Sequence, residues 1–221
     1  MNQQAMAVPE VLSVLAGFFT EPDEDEYAAL LAKETWQSFL EGVQAVAGRE
    51  VPSALREPLS LEDAKAFAAG HFTGGIPKES VLPVESFYRP DLTHPSSGET
   101  QGRYLGEPAD YMTALIKRMG FVLPDAFKDA PDHLCIELDM TAALIDVGCE
   151  ADAKQFACER LSWLAEYREQ LAQLGEKASF HVAAIDAITA IVDAWRTDIL
   201  QESKVETTDS IREDEQCQEK L

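Results

Sequence analysis

The sequence predicts an all-α protein, and three observations lead to this class. Hydrophobic residues make up 46% of the chain, which is enough to bury a sizeable core. The helix formers Ala, Leu and Glu are abundant, whereas long runs of Val, Ile and Thr typical of strands are missing. Apolar residues also recur at helical spacing along most of the chain. With 221 residues, the chain is long enough for one large domain or two small ones.

Hydrophobic periodicity predicts three helices before residue 73. The first covers about residues 5–19, and its apolar face has spacings of 4, 3 and 4. This face is formed by Val8, Leu12, Leu15 and Phe19. A second helix is predicted over about 24–46. Ser60 is a suitable N-cap for a short helix that ends near residue 72.

Residues 73–107 are predicted to form a loop, because glycine and proline are too frequent there for regular structure. Long loops in compact domains are usually functional or disordered. Apolar residues in the first half predict that this half is ordered. A further helix should start at Pro108, since proline suits the first turn, and should end at Gly120.

The remainder of the chain divides into a linker, three helices and a tail. We interpret residues 123–131 as a linker that acts as a hinge, followed by helices over about 132–149, 151–174 and 178–200. Residues 201–221 contain seven acids and three bases with few apolar side chains. This composition predicts a disordered acidic tail.

The formal net charge of −22 limits the classes of partner. Nucleic acids and anionic membranes attract clustered Lys and Arg, so we expect neither as a partner. A cationic partner would be attracted, although solubility alone also explains the charge. The N-terminus lacks a signal-peptide pattern and no apolar run approaches 18 residues, so we expect a cytoplasmic protein without membrane insertion.

No pattern of a catalytic or metal site is found. The sequence has no Walker A motif and no GxGxxG, and it lacks the Glu-x-x-His pairs of di-iron bundles. The four cysteines have neither CxxC spacing nor nearby histidines suited to zinc, and they fit a reducing compartment. The sequence therefore predicts a binding protein rather than an enzyme, with no cofactor and no metal.

Two short segments carry the most information about function. Residues 130–139 place a proline-set turn, the pair Asp132-His133 and the start of an amphipathic helix within ten positions. Residues 81–88 form an apolar and aromatic run that contains Glu85. By itself, Asp132 has the sequence position of a helix N-cap, which would stabilise the helix by about 1 kcal/mol.

These two segments resemble the signature segments of the TorD/DmsD family of chaperones for molybdenum-containing redox enzymes. The family's Glu-Pro-x-Asp-His run, which opens into a Glu-Leu helix, is matched by Asp132-His133 and by Glu137-Leu138. The family's Leu-x-Pro-Trp-Glu-Ser-Val-Tyr run is matched by Leu82-Pro83-Val84-Glu85-Ser86-Phe87-Tyr88, with Val84 in the place of tryptophan. The order of elements agrees over about residues 5–200.

The resemblance implies a single TorD-like helical domain over residues 1–200, with an N-terminal half over residues 1–122, a hinge over 123–131 and C-terminal helices over 132–200. It implies a cytoplasmic chaperone that binds the twin-arginine signal peptide, the apo form of a molybdopterin-dependent oxidoreductase catalytic subunit, or both, until the cofactor is inserted. The chain would be a monomer or a domain-swapped dimer. Candidate client-binding residues are Leu82, Glu85, Phe87, Tyr88, Glu107, Asp129, Asp132 and His133.

Two alternatives remain open at the level of the sequence. One is a generic acidic helical adaptor for an unrelated partner, in which Asp132 only caps a helix. The other is a weak GTP-binding helical protein, although no phosphate-binding loop supports it.

Overall fold

A computed structural model describes residues 5–72, 80–89 and 104–218, with side chains described up to residue 201. Helices account for nearly all of its regular structure. They are α1 (Val8–Gly17), α2 (Glu24–Leu30), α3 (Lys33–Ala47), α4 (Leu61–His71), α5 (Glu107–Met119), α6 (Leu134–Asp146), α7 (Glu150–Arg160), α8 (Leu164–Ala172) and α9 (Ser179–Gln218). Short 3₁₀ turns include Glu85–Phe87, Asp125–Phe127 and Leu161–Trp163. The predicted all-α, TorD-like class is confirmed.

Helix α9 is the centre of the bundle, and α3, α7 and α8 pack around it. Its buried face presents Ile185, Ile188 and Ile191 to the core. Helix α1 packs against α3 and α6, so the N-terminal helix lies beside the helix that follows the Asp132-His133 pair. One large core therefore joins both halves of the chain.

A smaller apolar cluster lies apart from this core, between α5, α6 and α7. Its buried members are Met112, Leu115, Ile116, Ile136, Met140 and Phe156. Helix α5 ends at Gly120, whose φ of 74° is in the left-handed region that glycine adopts without strain. The chain then leaves α5 as an extended apolar segment beside this smaller cluster.

Two predicted helices are divided in the structure. The helix expected over 24–46 breaks after Leu30, because α2 and α3 are anchored separately to the connector that follows them. Tyr27 donates its hydroxyl to the Leu59 carbonyl, and Trp36 donates its indole N–H to the Arg56 carbonyl, both at 3.1 Å. The helix expected over 151–174 is likewise interrupted by the turn Leu161–Trp163.

The last helix continues to Gln218, whereas the sequence predicted a disordered tail from residue 201. Residues 201–218 contain neither glycine nor proline and are rich in Glu and Gln, which favour helix even without an apolar face. The prediction that the first half of the loop is ordered can be assessed only over residues 80–89, since residues 73–79 and 90–103 lie outside the described residues. The domain boundaries and the hinge stay predictions.

The segment Gly175–Gln201 contains an 18-residue stretch that is apolar enough to span a membrane by composition, with a mean hydropathy of 1.3. This stretch is not evident as an uncharged run in the sequence, because Asp186 and Asp193 interrupt it. In the structure, 67% of this stretch is buried inside the bundle, which is the environment of a core helix.

Candidate functional site

The two signature segments lie against each other, although about 45 residues separate them in the chain. Val84 and His133 form an isolated antiparallel β-bridge. Next to it, the Leu134 N–H donates to the Pro83 carbonyl at 2.8 Å. These backbone contacts dock the ordered half of the loop onto the start of α6, and so bring both segments into one site.

Asp132 is fully buried and connects the segments through both its side chain and its backbone. Its carboxylate accepts the Ser86 N–H at 2.8 Å, and its carbonyl accepts the Glu85 N–H at 3.0 Å. The interpretation of Asp132 as the N-cap of α6 is wrong. The cap is His133, whose Nδ1 accepts the Cys135 N–H at 3.1 Å. Asp132 instead accepts hydrogen bonds from the backbone N–H groups of Glu85 and Ser86, at the start of the neighbouring 3₁₀ turn.

A buried polar cluster lies directly beneath this contact. The Glu85 carboxylate, which is fully buried, accepts a hydrogen bond from Arg89 at 2.7 Å and pairs through its other oxygen with Arg160. Glu137 is also fully buried and accepts the indole N–H of Trp163 at 3.1 Å. Burial, followed by the nearby Glu85 charge, raises the pKa of Glu137 well above its usual range. This shift favours the protonated form of Glu137. Burial also raises the pKa of Glu85, and the charges of Arg160 and Arg89 oppose that shift.

Tyr88 belongs to the core rather than to the surface of the site. Its ring stacks on Trp163 with centroids 5.3 Å apart and an interplanar angle of 16°. Its hydroxyl donates to the Leu82 carbonyl at 3.0 Å, which closes the loop upon itself. Burial raises the pKa of the Tyr88 phenol, so this donor keeps its proton.

An exposed aromatic patch lies at the outer edge of the signature segments. Phe87 stacks on Tyr104 with centroids 5.4 Å apart, and the Tyr104 hydroxyl donates to the Asp129 carbonyl. Leu105 is 48% exposed beside Tyr104 in the chain, and Glu107 is exposed at the start of α5. We call this surface the Tyr104 patch; it consists of Phe87, Tyr104, Leu105, Glu107 and Asp129. It combines apolar area with exposed carboxylates.

A groove of about 250 Å³ lies between the end of α5, the segment after it and α6. We call it the α5–α6 groove; it is lined by Ile116, Phe121, Val122, Leu123, Pro124, Ile136, Asp139, Met140 and Ala143. Phe121 is 43% exposed and Val122 is 90% exposed, so apolar surface faces solvent at its edge. Residues 121–124 form one side of the groove, and the chain continues from them through the turn Asp125–Phe127 to Asp129 of the Tyr104 patch.

None of the eight candidate binding residues predicted from the sequence lines this groove. One feature of the sequence could have indicated the groove. Three apolar residues and a proline directly follow Gly120, which ends α5, and such a run is unusual for a linker that faces solvent. The contribution of α6 was hidden, because Ile136 and Met140 have the spacing of ordinary core residues.

The structure divides the eight candidate binding residues into two groups. Four are buried and already have partners within the chain: Glu85, Tyr88, Asp132 and His133. Four are accessible in whole or in part: Leu82, Phe87, Glu107 and Asp129. The first group supports the site from within, and only the second group can meet a partner in this conformation. Client binding by any of the eight stays a prediction.

The fold is that of an all-helical protein of the TorD type, and a comparison with protein families gives the same result. The profile of the nitrate reductase delta subunit family matches residues 24–183, well over half of the chain, so the protein belongs to this family. Members are cytoplasmic chaperones for the maturation of molybdoenzymes and are not enzymes. The partner that the family implies is a molybdoenzyme catalytic subunit. Among curated proteins and among solved structures, none matches the chain.

Proposed function

We propose that this chaperone binds the twin-arginine signal peptide of its client in the α5–α6 groove and holds it in the cytoplasm until the cofactor is inserted. The observation that carries this proposal is an open apolar groove that leads to exposed carboxylates beside the two signature segments. A twin-arginine signal peptide has the complementary order, since a cationic region precedes an apolar one.

The apolar part of such a peptide would gain most of its affinity from the groove. Burial of apolar surface contributes roughly 25 cal/mol per Å², and Val122 and Phe121 have much surface left to bury. A helix in a groove is a common mode of peptide recognition and would place successive apolar side chains along α6.

The cationic part would meet the exposed carboxylates of the Tyr104 patch, Glu107 and Asp129. Glu85 and Asp132 have a different role in this proposal. Because both are buried and hydrogen-bonded, they hold the loop on α6 and keep the surface in shape.

The test is calorimetric titration of a client signal peptide into the protein and into two matched variants. Val122→Asp puts a charge at the groove, whereas Val147→Asp puts the same charge at another exposed valine, 66% accessible, outside it. We expect Val122→Asp to weaken binding at least about tenfold, since it replaces apolar contact by a desolvated carboxylate, and Val147→Asp to have little effect. Equal affinities for both variants, or a wild type that does not bind the peptide, would rule out the groove as the peptide site.

A further inference from the structure

Asp139 is the charged residue in an otherwise apolar groove. It lies on α6 between Ile136 and Met140, and all three line the groove together with Val122 and Leu123. No sequence pattern singled it out, because an acid on an amphipathic helix usually belongs to the solvated face.

The Asp139 carboxylate has no cationic partner among the residues that the structure describes. Its one polar contact is with the thiol of Cys135, 3.8 Å from its Oδ2. A thiol is a weak donor, and burial raises the pKa of Cys135 to about 12, so it remains protonated. Some other carboxylates on the C-terminal helices are paired with cations at short range, such as Asp186 with Arg168. Desolvation by the apolar side chains beside it also raises the pKa of Asp139, although the residue is exposed at the groove.

We infer that Asp139 receives the guanidinium of an arginine in the bound peptide and thereby sets the position at which the apolar segment of the peptide enters the groove. This inference rests on the proposed function, and it adds a specificity-determining residue to it. The carboxylates of the Tyr104 patch lie outside the groove and attract any cation, whereas Asp139, which is also exposed, lines the groove and is placed to select a cation that is directly followed by apolar side chains.

Asp139 is exposed in the free protein, but a peptide in the groove would cover it with apolar side chains and so make this contact stronger than one on the open surface. A charge pair beside apolar walls is screened less than a fully exposed pair, so the attraction between carboxylate and guanidinium is larger. Arginine can bond both carboxylate oxygens with its planar fork, which lysine cannot do. The inference therefore predicts that the preference for arginine over lysine depends on Asp139.

The experiment compares Asp139→Asn with Asp146→Asn in full-length protein. Asp146 is exposed at the end of the same helix and outside the groove, so both variants lose one negative charge from α6 but only one changes the groove. Each is titrated with a twin-arginine signal peptide and with the same peptide carrying two lysines. Unfolding curves verify that both variants fold as the wild type does.

We expect Asp139→Asn to weaken binding of the arginine peptide about tenfold and to remove most of its advantage over the lysine peptide, because a charge-assisted hydrogen bond is lost. Asp146→Asn should keep both the affinity and the preference. If the two variants behave alike while Val122→Asp still abolishes binding, Asp139 is not the arginine site and the groove remains the peptide site. If Val122→Asp has no effect either, the proposed function and this inference fail together.

Discussion

His133 holds the N-terminus of α6 through a nitrogen that must be unprotonated. Its Nδ1 accepts the Cys135 N–H, and its ring packs on Phe127 with centroids 5.0 Å apart. Burial lowers the pKa of His133 from its ordinary value of 6.5 to about 4. One residue thus caps a helix, fills space and, through its backbone, forms the bridge to Val84.

Replacement of His133 by Asn should flatten the dependence of stability on pH. In the native state the His133 pKa lies below its unfolded value, so the unfolded chain binds more protons between pH 6.5 and pH 4. The wild type should therefore lose stability as pH falls through this window, by about 2 kcal/mol from this residue between pH 6.5 and 5. Asn is a good N-cap and does not titrate.

The measurement is urea unfolding of both proteins at pH 7 and at pH 5, and the quantity compared is the change in unfolding free energy between the two pH values. Any constant cost of the substitution cancels from this comparison. Buried His181, whose pKa is also lowered, is present in both proteins and cancels as well. A variant with the same slope as the wild type would show that His133 does not titrate as its burial requires.

At the scale of elements, the position of α1 on α3 depends on one glycine. A Cβ on Gly42 would lie 2.7 Å from Cγ2 of Val11 and 2.9 Å from the carbonyl oxygen of Met6. The second contact is with backbone, so a side-chain rotation cannot relieve it. Gly42 therefore permits close approach of α3 to the N-terminal helix, which in turn packs on α6.

Gly42→Ala should destabilise the protein by about 1–3 kcal/mol, because the crowding outweighs the higher helix propensity of alanine. Gly70→Ala is the matched control, since Gly70 also lies in a helix and a methyl group added there would meet nothing within 4 Å. We expect this control to be neutral or to stabilise by about 0.5 kcal/mol. Thermal unfolding of both variants provides the comparison, and equal shifts in Tm would mean that α1 moves away without cost.

At the scale of the whole molecule, charge is the dominant property. Forty acids stand against eighteen Lys and Arg residues, and residues 201–221 carry only −4 of the net −22. The remaining −18 lies on residues 1–200, so the described bundle itself produces a strong negative field. Such a field raises the rate at which a cationic peptide is captured, independently of the groove that then holds it.

The association rate of a twin-arginine peptide should therefore fall by about tenfold when ionic strength rises from 0.01 M to 0.15 M, as the Debye length shrinks from about 30 Å to about 8 Å. The dissociation rate should change much less, because apolar burial is insensitive to salt. Stopped-flow mixing with a fluorescent peptide separates the two rates. A peptide with both arginines replaced by glutamine is the control, and its association should vary little with salt. If the association rate of the twin-arginine peptide did not change with salt, the acidic surface would contribute to solubility and not to capture of the peptide.

The sequence by itself determined the helical class and most helix positions, because apolar spacing and chain-breaking residues act locally. It also located the two signature segments, and with them the family resemblance that the profile match confirms. Local patterns do not, however, contain the contacts with distant segments that decide where a helix is interrupted. The division between α2 and α3 contains neither glycine nor proline, and it arises from the separate anchoring of Tyr27 and Trp36.

Only the tertiary structure decided which residues of the site face inward. Asp132 and Glu85 carry the charge that a binding role requires, but their burial depends on Arg160 and on the docked loop, which are distant in sequence. The α5–α6 groove is likewise the product of two helices and a linker, and each shows only ordinary apolar residues when it is taken alone. Burial and shape are properties of several segments together, and for this reason one-dimensional spacing predicted the neighbourhood of the site but not its accessible surface.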